Sequence, residues 1–179
     1  MSGHPEPRIR AGAPFVIGIA GWKNSGKTTM AERLIAEFAR RGLRVASVKH
    51  AHHDFQVDDG PTDSARHRRA GAQQVAIVSS ARWAIVRELR DAPEPSLEGV
   101  VAKLDPADIV VVEGYKRAPI PKLEVRRTAS AGKEPLADTD PTVLAIAADF
   151  PISDARLPVF DLDAIAAIAD FILEKAGLS

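Results

Sequence analysis

The stretch Gly21-Trp-Lys-Asn-Ser-Gly-Lys-Thr28 constrains this chain more than any other. It fits G-x-x-x-x-G-K-[ST] at every fixed position. The flanks agree. Phe15-Val-Ile-Gly-Ile-Ala20 is a short β-branched run that predicts a buried strand. From Lys27 to Arg41 the apolar Met30, Leu34, Ile35 and Phe38 fall at helical spacing, with Gly42 as a stop. A strand–loop–helix of this kind wraps a phosphate: glycines let the backbone close in, and the helix N-terminus adds partial positive charge. Gly21, Trp22, Lys23, Asn24, Ser25 and Gly26 are the expected cradle. Lys27 is placed to reach the β- and γ-phosphates, the Thr28 hydroxyl to enter a Mg²⁺ shell, and Thr29 to donate to an adjacent phosphate. The motif specifies a nucleoside triphosphate and leaves the base open.

Arg44 to Val48 reads as a second strand, completing a βαβ unit with a right-handed crossover. Further along, a short helix is expected over 63–70, started by Thr62 or Asp63. Adjacent strands are expected over 74–79 and 83–87, and a helix over 96–103 capped by Ser96. Ile109 to Val112 is a continuous β-branched run, as in a central parallel strand. Strands over 123–127, 143–147 and 159–160 and a helix over 164–175 complete the pattern, with 127–141 expected to be loose. The alternation predicts a three-layer α/β fold with a mostly parallel central sheet flanked by helices. Residues 1–13 read as a flexible tail and 14–179 as one nucleotide-binding domain.

A phosphate-binding loop usually works with a carboxylate at the end of a neighbouring strand. Asp108-Ile-Val-Val-Val-Glu113 offers two, about 16 Å apart if extended, so both cannot reach one ion. Ligands sit at the carboxyl ends of parallel strands. Glu113 is therefore the candidate for holding Mg²⁺ or orienting water, and Asp108 is expected to be a solvated strand start. The segment Lys49-His-Ala-His-His-Asp54 leaves the same rim. Its histidines read more plainly as solvated or hydrogen-bonded than as a metal site of His50, His52 and Asp54. Asp54 or Asp63 is a second candidate to hold Mg²⁺ or position water. Asp149 ends an apolar run, where a carboxylate could accept from guanine N1–H and N2–H₂, a pattern adenine lacks. The alternative is an ordinary loop-starting Asp. Arg66 on the short helix, and Lys116, Lys122, Arg126 and Arg127 after Glu113, form a basic rim suited to a phosphorylated substrate or an acidic partner. Solvated helix and loop faces are the alternative.

Composition narrows the classes. With 24 basic and 24 acidic residues the formal net charge is zero, and aromatics are 5%. Both disfavour nucleic acid as the main partner. There is no cysteine, which excludes a disulfide scaffold, a Cys-based zinc site and a thiol nucleophile. No stretch approaches a membrane span or a signal peptide, so a cytoplasmic address is expected.

Taken together, Gly21–Thr29, Val48-Lys-His-Ala-His-His-Asp-Phe55, Asp63-Ser-Ala-Arg66 with Ala70-Gly-Ala72, and Val112-Glu-Gly-Tyr-Lys116 with Pro119-Ile-Pro-Lys-Leu-Glu-Val-Arg-Arg127 resemble the molybdopterin-guanine dinucleotide biosynthesis protein B (MobB) family. The resemblance covers about residues 14 to 150. It departs at Gly60-Pro61-Thr62, where the family more often has Pro-Gly and then a basic residue. It implies a homodimeric P-loop protein that binds GTP with Mg²⁺ and hydrolyses it slowly. It also implies two partners, the guanylyltransferase that attaches GMP to the molybdenum cofactor and the enzyme that inserts molybdenum, with molybdopterin as a further ligand. Two rivals share the loop: a small-molecule kinase, which needs an acceptor pocket and an Arg-bearing lid, and a scaffold that nucleotide merely stabilises.

Overall fold

The computed structural model describes residues 12–51, 57, 60–130 and 134–178. Residues 1–11 of the expected tail lie outside them, as do His52, His53 and Asp54. Within the span the sequence suggests as one domain, chain contacts form two compact units. One comprises the residues up to His50 together with Leu97 onward, and the other is Ala51–Ser96.

The first unit carries six strands: β1 (Phe15–Ala20), β2 (Val45–Lys49), and then β5 (Ile109–Glu113), β6 (Lys122–Arg126), β7 (Val143–Ala148) and β8 (Val159–Asp161). Their order is β2-β5-β1-β6-β7-β8, with every pairing parallel. Alternation along the strands sorts side chains onto two faces. Ile17, Ile19, Ile109, Val111, Leu123, Val125, Ala145 and Ala147 pack with helices α1 (Lys27–Arg40) and α4 (Ile165–Ala176) through Leu34, Phe38, Ile168 and Ile172. Val16, Val110 and Val112 face the other way, onto Leu97, Val100 and Val101 of α3 (Leu97–Val101). Three layers result, as the sequence predicts. Strands buried on both faces explain the unbroken β-branched run of β5.

In the second unit, α2 (Asp63–Arg69) starts at Thr62, whose hydroxyl accepts from the Ala65 N–H at 3.2 Å. Strands β3 (Gln74–Val78) and β4 (Trp83–Arg87) pair antiparallel as a separate two-stranded sheet. Val78, Trp83 and Ile85 of this hairpin are exposed.

Three expectations are corrected. Asp108 is not solvated. Its carboxylate accepts from the Arg44 guanidinium (2.8 and 3.2 Å) and from the Arg44 backbone N–H (2.8 Å). Its side chain is 9% exposed, because the turn into β2 runs beside the start of β5. The stretch 127–141 is not uniformly loose: 3₁₀ turns form at Thr128–Ser130 and Leu136–Asp138. The third concerns Lys122, a residue of the expected rim. Strand register sets it opposite Gly18, in the interior of the sheet. A Cβ on Gly18 would lie 3.2 Å from Lys122 Cγ, so the bare glycine gives the lysine stem its channel. Lys122 Nζ then donates to Ala118 O (2.6 Å), Thr142 Oγ1 (2.6 Å) and Asp140 Oδ2 (3.0 Å). It is a buried strut rather than a rim cation.

Candidate functional site

The loop Gly21–Gly26 leaves the sheet where β1 runs between β5 and β6. The register sets Ile19 against Glu113 on one side and Ala20 against Glu124 on the other. Two glycines are needed for shape. Gly26 has φ +90°, and a Cβ there would meet Arg127 Nε at 2.8 Å. Gly21 has φ +149°, and a Cβ there would lie 2.5 Å from both Ser25 Oγ and Val125 O. Asn24, at φ 64°, also takes the left-handed region, which its short polar side chain tolerates better than most. Lys23 and Asn24 are exposed at the tip. Trp22 is pinned: its Nε1–H donates to Glu134 O at 2.8 Å, and Lys116 Nζ lies 3.9 Å from its ring centroid.

Helix α1 opens at Gly26 with no side-chain cap. The first-turn N–H groups of a helix have no intrahelical partners, so Lys27, Thr28 and Thr29 present the donors that an anion takes up. Ser25 Oγ is buried and has no hydrogen-bond partner among the described residues. Lys27 Nζ turns onto Trp22 O at 2.7 Å, and the Ser25 N–H donates to the same carbonyl at 3.1 Å. Burial pushes the Lys27 pKa below its ordinary 10.5, and Lys116 adds to that, while Glu113 opposes it. An ammonium held in this way gains from an arriving phosphate.

Glu113 closes β5 beside the loop. Thr28 Oγ1 donates to its Oε1 at 2.8 Å, and Lys49 Nζ lies 3.8 Å from Oε2. A hydroxyl and a carboxylate at this separation are a hard-oxygen pair suited to Mg²⁺. The uncapped helix, the orphaned Ser25 hydroxyl and this pair together fit a nucleotide with its metal. On the opposite flank, Glu124 is fully buried and accepts from the Leu136 and Ala137 N–H groups, both at 2.9 Å. That carboxylate braces the wall of the site and is spoken for. Asp149 Oδ1 accepts from Thr128 N–H (2.7 Å) and Thr128 Oγ1 (3.0 Å), so part of its carboxylate ties down the turn after β6.

The sequence pattern of the family described as "Molybdopterin guanine dinucleotide synthesis protein B", MobB, matches residues 16–149. The chain belongs to the MobB family. The MobB adapter protein of Haemophilus influenzae is 41% identical over 160 residues, covering 88% of this chain and 86% of that one. The one from Escherichia coli is 33% identical over 161 residues, covering 89% and 91%. Both are described as molybdopterin-guanine dinucleotide biosynthesis adapter proteins. Among solved structures, the MobB homolog of Bacillus stearothermophilus superposes with a TM-score of 0.67 at 25% identity, covering 92% of this chain and 99% of that one. The P-loop NTPase fold of MobB implies nucleotide and Mg²⁺ binding in general.

For this MobB chain, the structure brings Gly21–Thr29, Glu113 and Lys116 to one end of the sheet. Asp149 and Arg126 lie at the ends of β7 and β6, with Arg126 5.3 Å from the Phe150 ring centroid. Arg66 is exposed on α2 and pairs with Asp63 at 3.4 Å. Asp54 and His52 lie outside the described residues, and the ring of His50 packs tilted against Tyr115, with centroids 4.8 Å apart. Among the described residues no group of three His, Asp or Glu side chains could hold a metal. Nor is any helix long and apolar enough to cross a membrane. Sequence reasoning gave no site role to Lys49 and placed Arg127 only in the basic rim, not against the loop. Both follow from the strand-end rule that found Glu113, since Lys49 ends β2 and Arg127 immediately follows β6.

Proposed function

We propose that this chain is a GTP-binding adapter protein with weak GTPase activity in molybdenum cofactor biosynthesis, assisting formation of molybdopterin guanine dinucleotide. The observation that carries the nucleotide part is the 2.8 Å Thr28–Glu113 hydrogen bond at the foot of an uncapped phosphate-binding loop. The adapter role is drawn from the descriptions of the H. influenzae and E. coli relatives. The proposed partners are the guanylyltransferase that attaches GMP and the enzyme that inserts molybdenum, in the cytoplasm, with molybdopterin as a further ligand. Two copies of the chain are proposed to associate. Val78 and Trp83, directly paired across the hairpin, and Ile85 are exposed apolar groups that association would cover.

In this reading Lys27 leaves Trp22 O and contacts the β- and γ-phosphates. The loop N–H groups and the Ser25 hydroxyl donate to the remaining phosphate oxygens. Thr28 and Glu113 hold Mg²⁺, with Glu113 acting directly or by fixing a water. When bound, Mg²⁺ supplies charge that neutralises the β- and γ-oxygens. Asp54 stays the candidate second carboxylate for positioning water. Asp149 is the candidate reader of guanine.

The test is thermal stability with GTP, GDP and ATP at matched concentration, with and without Mg²⁺. A ligand that binds only the native state stabilises it by about 2.7 kcal/mol at a hundredfold excess over its dissociation constant. A guanine-specific shift that vanishes in Lys27→Met supports the proposal. A shift with ATP alone turns the reading toward a kinase, and no shift with any nucleotide overturns it.

A further inference from the structure

We propose that Arg127 is a nucleotide-contacting residue, on the α-phosphate and purine side of the site rather than at the γ-phosphate. This rests on the nucleotide-binding reading above. The guanidinium lies against the loop itself: a Cβ on Gly26 would come within 2.8 Å of its Nε, 3.1 Å of its Cζ and 3.2 Å of its Nη2. Among the described residues, Arg127's hydrogen bonds run through its backbone, and its guanidinium pairs with no described carboxylate. An arginine lying on a phosphate-binding loop, with no described carboxylate paired to its guanidinium, is a cation that an incoming anion can engage.

Its backbone is held in place. The Ser130 N–H donates to Arg127 O at 2.7 Å and Ser130 Oγ to the same oxygen at 3.0 Å, closing the 3₁₀ turn. One residue on, Thr128 is tied to Asp149 by two hydrogen bonds. With the backbone fixed, ordering the side chain on a ligand costs only rotamer freedom. Asp149 therefore acts here as a positioning residue for Arg127.

Sheet order decides which end of the nucleotide Arg127 meets. β1 runs between β5 and β6. Glu113, at the end of β5, meets Thr28 and marks the metal end. Arg127 follows β6, on the other side of the loop. A phosphate chain gripped at its metal end by Thr28 and Glu113 runs on toward the β6 side. The planar fork of an arginine suits phosphate oxygens, and its flat face suits a purine. Such a contact adds equally to a diphosphate and a triphosphate. An arginine on the γ-phosphate separates the two.

The experiment measures GDP and GTP dissociation constants by calorimetry, with Mg²⁺, for the full chain and for Arg127→Ala, Arg127→Gln and Lys27→Met. Unliganded melting of both Arg127 variants serves as the folding control. The expected result is that both weaken GDP and GTP by the same factor, about tenfold, the scale of one charge-assisted hydrogen bond. A loss confined to GTP would place the arginine at the γ-phosphate and overturn the proposal. Unchanged affinities in both Arg127 variants would overturn it too, while binding by wild type that is lost in Lys27→Met would spare the nucleotide reading. Absence of binding by the wild-type chain would overturn both.

Discussion

Thr28 and Glu113 stand 85 positions apart in the chain, yet Thr28 Oγ1 lies 2.8 Å from Glu113 Oε1. One opens α1 and the other closes β5. Parallel pairing of β1 with β5 brings those two ends together.

If this pair holds the metal, Glu113→Gln removes the charge and keeps the shape. The nucleotide-induced stabilisation of that variant is expected to be the same with and without Mg²⁺, whereas wild type gains on adding the ion. Thermal melts across a Mg²⁺ titration give the answer, and a retained Mg²⁺ increment in Glu113→Gln would count against the assignment.

Lys27 is held at a cost. Its folded pKa lies below the ordinary 10.5, chiefly through burial. The unfolded state therefore binds the proton more tightly, and stability rises with pH between the lowered folded value and 10.5. Lys27→Met is expected to melt at or above the wild-type temperature without ligand, to lose that pH-dependent rise, and to show no nucleotide shift. A variant that melts well below wild type would mean that the 2.7 Å bond to Trp22 O outweighs the burial penalty.

The Lys122 strut has a different signature. Lys122→Ala strands Asp140 and the Ala118 carbonyl, and removing one partner of a buried pair costs about 3 kcal/mol. Urea unfolding at neutral pH measures this. Burial works to raise the Asp140 pKa, but hydrogen bonds from Thr142 and Lys122 outweigh it and hold the carboxyl below its ordinary 3.8. A depressed carboxylate stabilises the fold above 3.8, and that contribution is lost as pH falls through the lower folded value. The gap between wild type and Lys122→Ala should therefore narrow in that acid range. A constant gap would exclude the Asp140 link.

Glu124 offers two oxygens to two backbone N–H groups. Glu124→Gln keeps one acceptor and turns a donor toward the other N–H. The expected loss is about 2 kcal/mol, the scale of a buried unsatisfied group. Chemical denaturation checks it, and amide exchange at Leu136 and Ala137 localises it. Full protection at both amides would show that the carboxylate does not hold that turn.

Part of the site was readable from local pattern. The loop motif carries its own geometry. The β-branched run 109–112 announces a central strand, and its direction makes Glu113, not Asp108, the residue at the ligand end. Other features were not readable. Lys122 and Lys116 look alike as a basic pair in a proline-spaced loop, yet one is buried against Asp140 and the other lies over Trp22. Nothing local separates them, because the difference is the register of β6 against Gly18.

By itself the sequence determined the phosphate loop, the strand and helix segments and the family, because each depends on residues adjacent in the chain or on a pattern of short segments. The tertiary structure decided which charges are free to act. It sent Asp108 to Arg44, Glu124 to the 136–137 N–H groups and Lys122 to Asp140, and left Arg127 lying on Gly26. A charged side chain takes its role from whichever group the fold brings within about 3 Å, since desolvation makes a buried charge seek a partner. That distance is set by sheet order and register, which arise from contacts far apart in sequence.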